Sequence, residues 1–151
     1  MSGTFRAIRE AVFLRVQDRD GRGPFKPGMP DRWLDPEGRD FPAVHEEFGL
    51  GWRDEIPHGW HCGCAFRTVE QAACWFSPSE CSRLAALGYQ FVSLRARALR
   101  ESRHQAIIVR REPLRWRTII LPWPHFDPAM IDPWKHAAAI EAAAREGAGD
   151  E

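Results

Sequence analysis

Hydrophobic alternation first appears at residues 11–17, where Val12, Leu14 and Val16 share one side of an extended segment and Phe13, Arg15 and Gln17 the other. The pattern predicts a first strand that carries an arginine inside an apolar run. Residues 18–60 contain more than half of the prolines and glycines and show no sustained period. They are expected to form a long loop or lid, with one or two helical turns at 42–48.

Regular spacing resumes at Cys62. Cys64-Ala65-Phe66 reads as a short strand, and Thr68 with Gln71 three residues on has the spacing of a capping box, predicting a helix from Val69 to about Phe76. Ser77, Pro78 and Glu80 mark a second helix start, which Gly88 terminates. Segments 89–97, 105–110 and 116–121 read as further strands. An Ala-rich helix is expected over 134–146, ahead of a frayed tail at 147–151. Strands follow strands through the second half, so the predicted class is α+β, a mostly antiparallel sheet with short helices in a single domain over 1–151.

The charge balance narrows the partners. Lys+Arg and Asp+Glu both number 21, so no global field recruits nucleic acid or an anionic membrane, and neither is expected as a partner. The basic residues are nearly all arginine, a side chain suited to carboxylates and phosphates. No apolar run is long enough for a bilayer and the first ten residues lack a signal-peptide pattern, which points to a cytoplasmic protein.

Cys62, Cys64, Cys74 and Cys81, with His58 and His61, are ligand types that zinc accepts. Cys62 and Cys64 are read as projecting from opposite faces of their strand, and Cys74 and Cys81 as lying on separate helices. The set does not close, so no metal is assigned and the thiols are expected to be reduced, a metal-stabilised domain staying open as a minor alternative. Nucleophile elbow, zinc-protease and phosphate-loop signatures are absent from the sequence.

The local conflict at Arg15 remains. A buried guanidinium is costly unless an anion meets it, and that anion is either a carboxylate of the chain (Asp18, Asp20 or Glu70) or a phosphate from a ligand. The Asp20-Gly21-Arg22-Gly23-Pro24 run directly after it reads as a tight turn requiring positive φ.

Three features recur in order: Arg15 within a first strand, Phe66 and Thr68 leading into a helix that contains Trp75, and Gln105 opening a later strand after a charged loop. This order resembles the ADP-ribosyltransferase superfamily, including its RES-like relatives. The resemblance implies an ADP-ribosyltransferase-like fold that binds NAD or a related nucleotide as substrate, cleaves the nicotinamide–ribose bond and transfers ADP-ribose to a protein target, another macromolecule or water. On that resemblance Arg15 would grip phosphate or ribose, Phe66 and Trp75 would wall the nicotinamide pocket, Thr68 would orient the ribose, and Gln105 would stand at the reacting carbon. Gln105 replaces the superfamily's glutamate, and Phe66-Arg67-Thr68 replaces its Ser-Thr-Ser signature. The run Arg-Val-x-Asp-x-Asp-Gly-Arg-Gly-Pro-Phe from Arg15, with the later Cys-Gly and Glu-Gln-x-x-x-Trp-Phe, also resembles phage and prophage proteins. The alternative function is therefore a non-enzymatic phage-type protein-binding or inhibitor module, with Trp33, Trp52 and Trp60 forming its interface.

Overall fold

The computed structural model describes residues 10–26, 28–36 and 42–125. Strand β1 (Glu10–Gln17) is followed by two short helices, α1 (Pro30–Trp33) and α2 (Val44–Phe48), and a 3-10 turn at Gly51–Glu55. Then come β2 (His61–Ala65), helices α3 (Val69–Trp75) and α4 (Pro78–Ala86), the long strand β3 (Gln90–Glu101), β4 (Ala106–Arg110) and a two-residue β5 (Ile119–Ile120). The chain is α+β and the sheet is antiparallel throughout, in the order β1-β3-β4-β2, with β5 added to β3.

The sheet curls until its ends meet. Leu14 and Phe66 exchange two backbone hydrogen bonds of 2.7 Å, so a single rung joins β1 to the end of β2. Strand β3 makes the curl possible: its first half pairs with β1, its second half with β4, and a bulge between Ala98 and Arg100 bends it. A closed sheet of so few strands has little interior volume. The inward positions are accordingly filled by Ala65, Ala96 and Ala106 together with Phe13, Leu94, Ile108 and Leu114.

The outward face is covered twice. Leu14, Val16, Phe66 and Phe91 pack under α3 and α4 with Trp33, Phe76 and Leu84, whereas Leu99, Ile107 and Val109 pack with Trp52 beneath α2 and the 3-10 turn. Thr68 caps α3 by accepting the Gln71 N–H at 3.1 Å, but Gln71 Oε1 bonds the Arg67 N–H at 2.7 Å, so the box is not reciprocal. The box at α4 is complete: Ser77 and Glu80 each bond the other's backbone N–H.

Three expectations require correction. Among the described residues of 18–60, α2 falls on the helical turns expected at 42–48, but α1 and the 3-10 turn were not expected, and buried Trp33 and Trp52 pin these two to the sheet. The strand expected over 116–121 shrinks to Ile119–Ile120, where two prolines follow at 122 and 124. The helix expected at 134–146 and the tail lie outside the described residues. Cys62 and Cys64 share a face of β2, as residues two apart in a strand must, and it is Gly63 that faces inward. Among the described residues no group of three potential metal ligands comes together, and no helix is long and apolar enough to cross a membrane.

Candidate functional site

Arg15 lies on the inward face of β1, opposite Val92 of β3, with only 5% of its surface exposed. Its three nitrogens each donate to a neutral oxygen: Nε to Gln17 Oε1 at 2.9 Å, Nη1 to the Cys64 carbonyl at 2.7 Å and Nη2 to the Gly21 carbonyl at 2.9 Å. Neither Asp20 nor Glu70 pairs with it, and Asp18 acts only at a distance. Burial pulls the Arg15 pKa below its ordinary value, while nearby Cys64, Cys62 and Asp18 oppose that shift. An arginine remains charged in a protein. The positive charge is therefore held by carbonyl dipoles, without a carboxylate among the described residues.

The position of this side chain explains why the barrel closes by one rung only. After Leu14–Phe66, the next rung of an antiparallel ladder would pair Val16 with Cys64. The Cys64 carbonyl is instead taken by the guanidinium, and the strands part around it. Gly63 is required here, since a Cβ would come within 2.6 Å of Arg15 Nη1 and 2.9 Å of Leu114 Cδ1. Gln17 completes the arrangement by donating from Nε2 to the Leu114 carbonyl at 3.0 Å.

The turn after β1 supplies the third acceptor. Asp18 Oδ1 accepts the N–H groups of Asp20 and Arg22, both at 2.9 Å, and Asp18 Oδ2 accepts Lys26 Nζ at 2.8 Å. Partial burial pushes the Asp18 carboxyl up, but the bonds from Lys26, Arg22 and Asp20 outweigh it and leave the group below its ordinary value. Gly21 at φ +85° turns its carbonyl onto Arg15, and a side chain there would crowd the Arg115 backbone.

Between this turn and β2 lies a cavity of about 390 Å³. Among the described residues its charged lining is Arg15, Arg22 and Lys26, with no carboxylate; its apolar walls include Phe25, Phe66 and Phe76. Cys62 and Cys64 also border it, and burial pushes both thiols up despite the nearby Arg15 charge. The thiols are thus kept neutral, which leaves the cationic field of the cavity intact.

Of the residues singled out by sequence, Arg15 and Phe66 line one cavity. Trp75 packs behind it, with its ring 5.9 Å from Phe66 and 6.1 Å from Phe25, and its indole N–H bonded to the His104 carbonyl. Thr68 is exposed and serves as the cap of α3. Gln105 does not join them. It flanks inward-facing Ala106, so its side chain projects outward, where Nε2 donates at 3.0 Å to both the Pro42 carbonyl and Glu47 Oε1. The structure thus puts Arg15 and Gln105 on opposite faces of the sheet. The expected tryptophan interface also dissolves, because Trp33 is fully buried and Trp52 nearly so.

Sequence reasoning missed Gly63, Phe25 and Lys26. The Cys-Gly-Cys run held a signal for the first, since a glycine flanked by strand residues marks a close approach. Nothing local announces the other two.

Comparison with known proteins bears on lineage. The family model described as Bacteriophage T4 Y00F protein matches residues 9–120, which span β1 to β5 and every residue of the cavity. No curated protein and no solved structure matches the chain.

Proposed function

Because the chain belongs to the bacteriophage T4 Y00F protein family, we propose that it is a phage-type binding module whose seam cavity takes a compact anionic ligand with a flat ring, NAD or a related nucleotide. One observation carries this reading: among the described residues three cations and no carboxylate line the cavity, and the deepest of the three has only neutral acceptors. A phosphate seated there gains charge-assisted bonds from Arg22 and Lys26 and the field of Arg15. Phe25, half-exposed at the rim, offers the ring a face. The volume is near the lower end of the range of about 300–1,000 Å³ for ligand clefts, which suits a mononucleotide or one half of a dinucleotide. Transfer of ADP-ribose is not part of this reading, since Gln105 stands across the sheet from Arg15.

Thermal denaturation with millimolar NAD, ADP-ribose and AMP tests it. A ligand present at about a hundred times its Kd adds about 2.7 kcal/mol of stability, which raises Tm by several degrees. The rise should disappear in Arg22→Ala and Lys26→Ala, whose side chains reach solvent. No rise with any of the three nucleotides overturns the reading. Release of nicotinamide from NAD would overturn the binding-only form and restore the transferase expectation.

A further inference from the structure

We propose that a second site, at the far end of β4, binds single-stranded nucleic acid. A groove of about 410 Å³ lies where the start of β1, the middle of β3 and the segment after β4 converge. Among the described residues it is lined by five arginines, Arg95, Arg97, Arg110, Arg111 and Arg117, against two carboxylates, Glu10 and Glu112. The overall charge balance conceals this concentration.

The arginines divide by role. Arg110 is largely buried and donates to the carbonyls of Glu112, Pro113, Trp116 and Arg95, so it is a positioning residue that folds the 111–117 segment against β3. Arg95, Arg111 and Arg117 are exposed. Arg95 reaches Glu10 at only 3.5 Å, with both side chains more than half exposed, an ion pair of little strength that a phosphate can replace.

The groove is distinguished from a general anion trap by Trp60. The Arg97 guanidinium lies over its ring, 5.3 Å from the centre, so the indole carries a cation on one face and adds an aromatic surface beside the exposed arginines. Backbone-tracking cations next to a stacking surface is the arrangement that retains unpaired bases without reading their sequence. A duplex offers no free base face to such a surface, and an acidic peptide makes no use of it.

Fluorescence polarisation of the full chain with labelled oligo-dT, oligo-rU and a duplex of equal length tests the proposal. Either single strand should bind more tightly than the duplex, and affinity should fall steeply with salt. The double variant Arg95→Ala, Arg111→Ala should weaken binding about tenfold and flatten the plot of log K against log salt by about 0.7 per arginine removed. Its melting temperature should stay that of the parent. Trp60→Leu should weaken oligonucleotide binding while leaving competition by inorganic polyphosphate unchanged; Arg97→Lys, which keeps charge and loses the plane, serves the same purpose if that variant fails to fold. Arg19→Ala, which removes an exposed arginine that lines neither cavity, should leave oligonucleotide affinity at the parental value. Absence of single-strand binding at low salt, parental affinity in the double variant, or equal losses for oligonucleotide and polyphosphate would each overturn the proposal.

Discussion

Gly63 and the Arg15 guanidinium are packed so closely that one cannot change without the other: the missing Cβ of the glycine is the space that the arginine occupies. Gly63→Ala should therefore destabilise the fold by about 1–3 kcal/mol through overpacking. In an Arg15→Ala background the clash with the guanidinium is gone and only the approach to Leu114 Cδ1 remains, so the cost should fall by about 1 kcal/mol or more in a double-mutant cycle read by urea denaturation. Additive effects would show that the two residues do not share this space.

Arg15→Lys tests the geometry apart from the charge. An ammonium at the end of a flexible stem cannot reach acceptors on Gln17, Cys64 and Gly21 simultaneously, whereas the planar fork does. Leaving one or two of these buried oxygens unpaired costs about 1–3 kcal/mol each. Chemical denaturation should show a loss of about 2 kcal/mol or more; parental stability in Arg15→Lys would mean that the positive charge alone suffices.

Asp18 makes the turn sensitive to acid. Its carboxyl titrates below its ordinary value in the fold, so its contribution is fully present above the unfolded carboxylate pKa of about 3.9 and is lost as pH falls through the folded value. Asp18→Ala should lower stability at neutral pH by about 1–2 kcal/mol. The gap between parent and variant should narrow steadily below about pH 4. A gap that is constant with pH would remove the carboxylate from the account of the turn.

Glu80 is buried and carries two structural bonds: Oε1 closes the capping box on the Ser77 N–H at 2.8 Å, and Oε2 accepts the Asp35 N–H at 2.9 Å. It therefore ties the segment after α1 to the start of α4. Glu80→Ala should destabilise by about 1–3 kcal/mol, since buried donors are left unpaired. Glu80→Gln, which retains an acceptor oxygen, should recover part of the loss in thermal melts.

Local pattern and tertiary placement divide what could be read from the chain. The face alternation of β1, the Thr68 and Ser77 caps and the Gly88 stop all follow from neighbours within four residues, and they occur as expected. The burial of Arg15 followed from its apolar surroundings. Its partners did not, because a carbonyl is present at every residue and only the Gly21 turn and the β2 seam decide which two are used. Gln105 shows the limit from the other side. Its position in the order of elements was read correctly, but one residue of strand parity directs it away from Arg15, and parity is set by pairing across the sheet. The helical turns expected at 42–48 occur as α2, whereas the short helix at 30–33 and the 3-10 turn at 51–55 were obscured, since buried tryptophans and the sheet beneath them, more than helical periodicity, hold those segments.

The lone rung between β1 and β2 has a consequence for self-association. Strand borders that expose their N–H and C=O groups invite a neighbouring chain to extend the sheet. Here the carbonyl of Cys64 is already engaged by a side chain from within, and residues 21–26 lie across the opening. An incoming strand finds no continuous row of partners, so the same guanidinium that interrupts the closure of the barrel also protects its weakest border from aggregation.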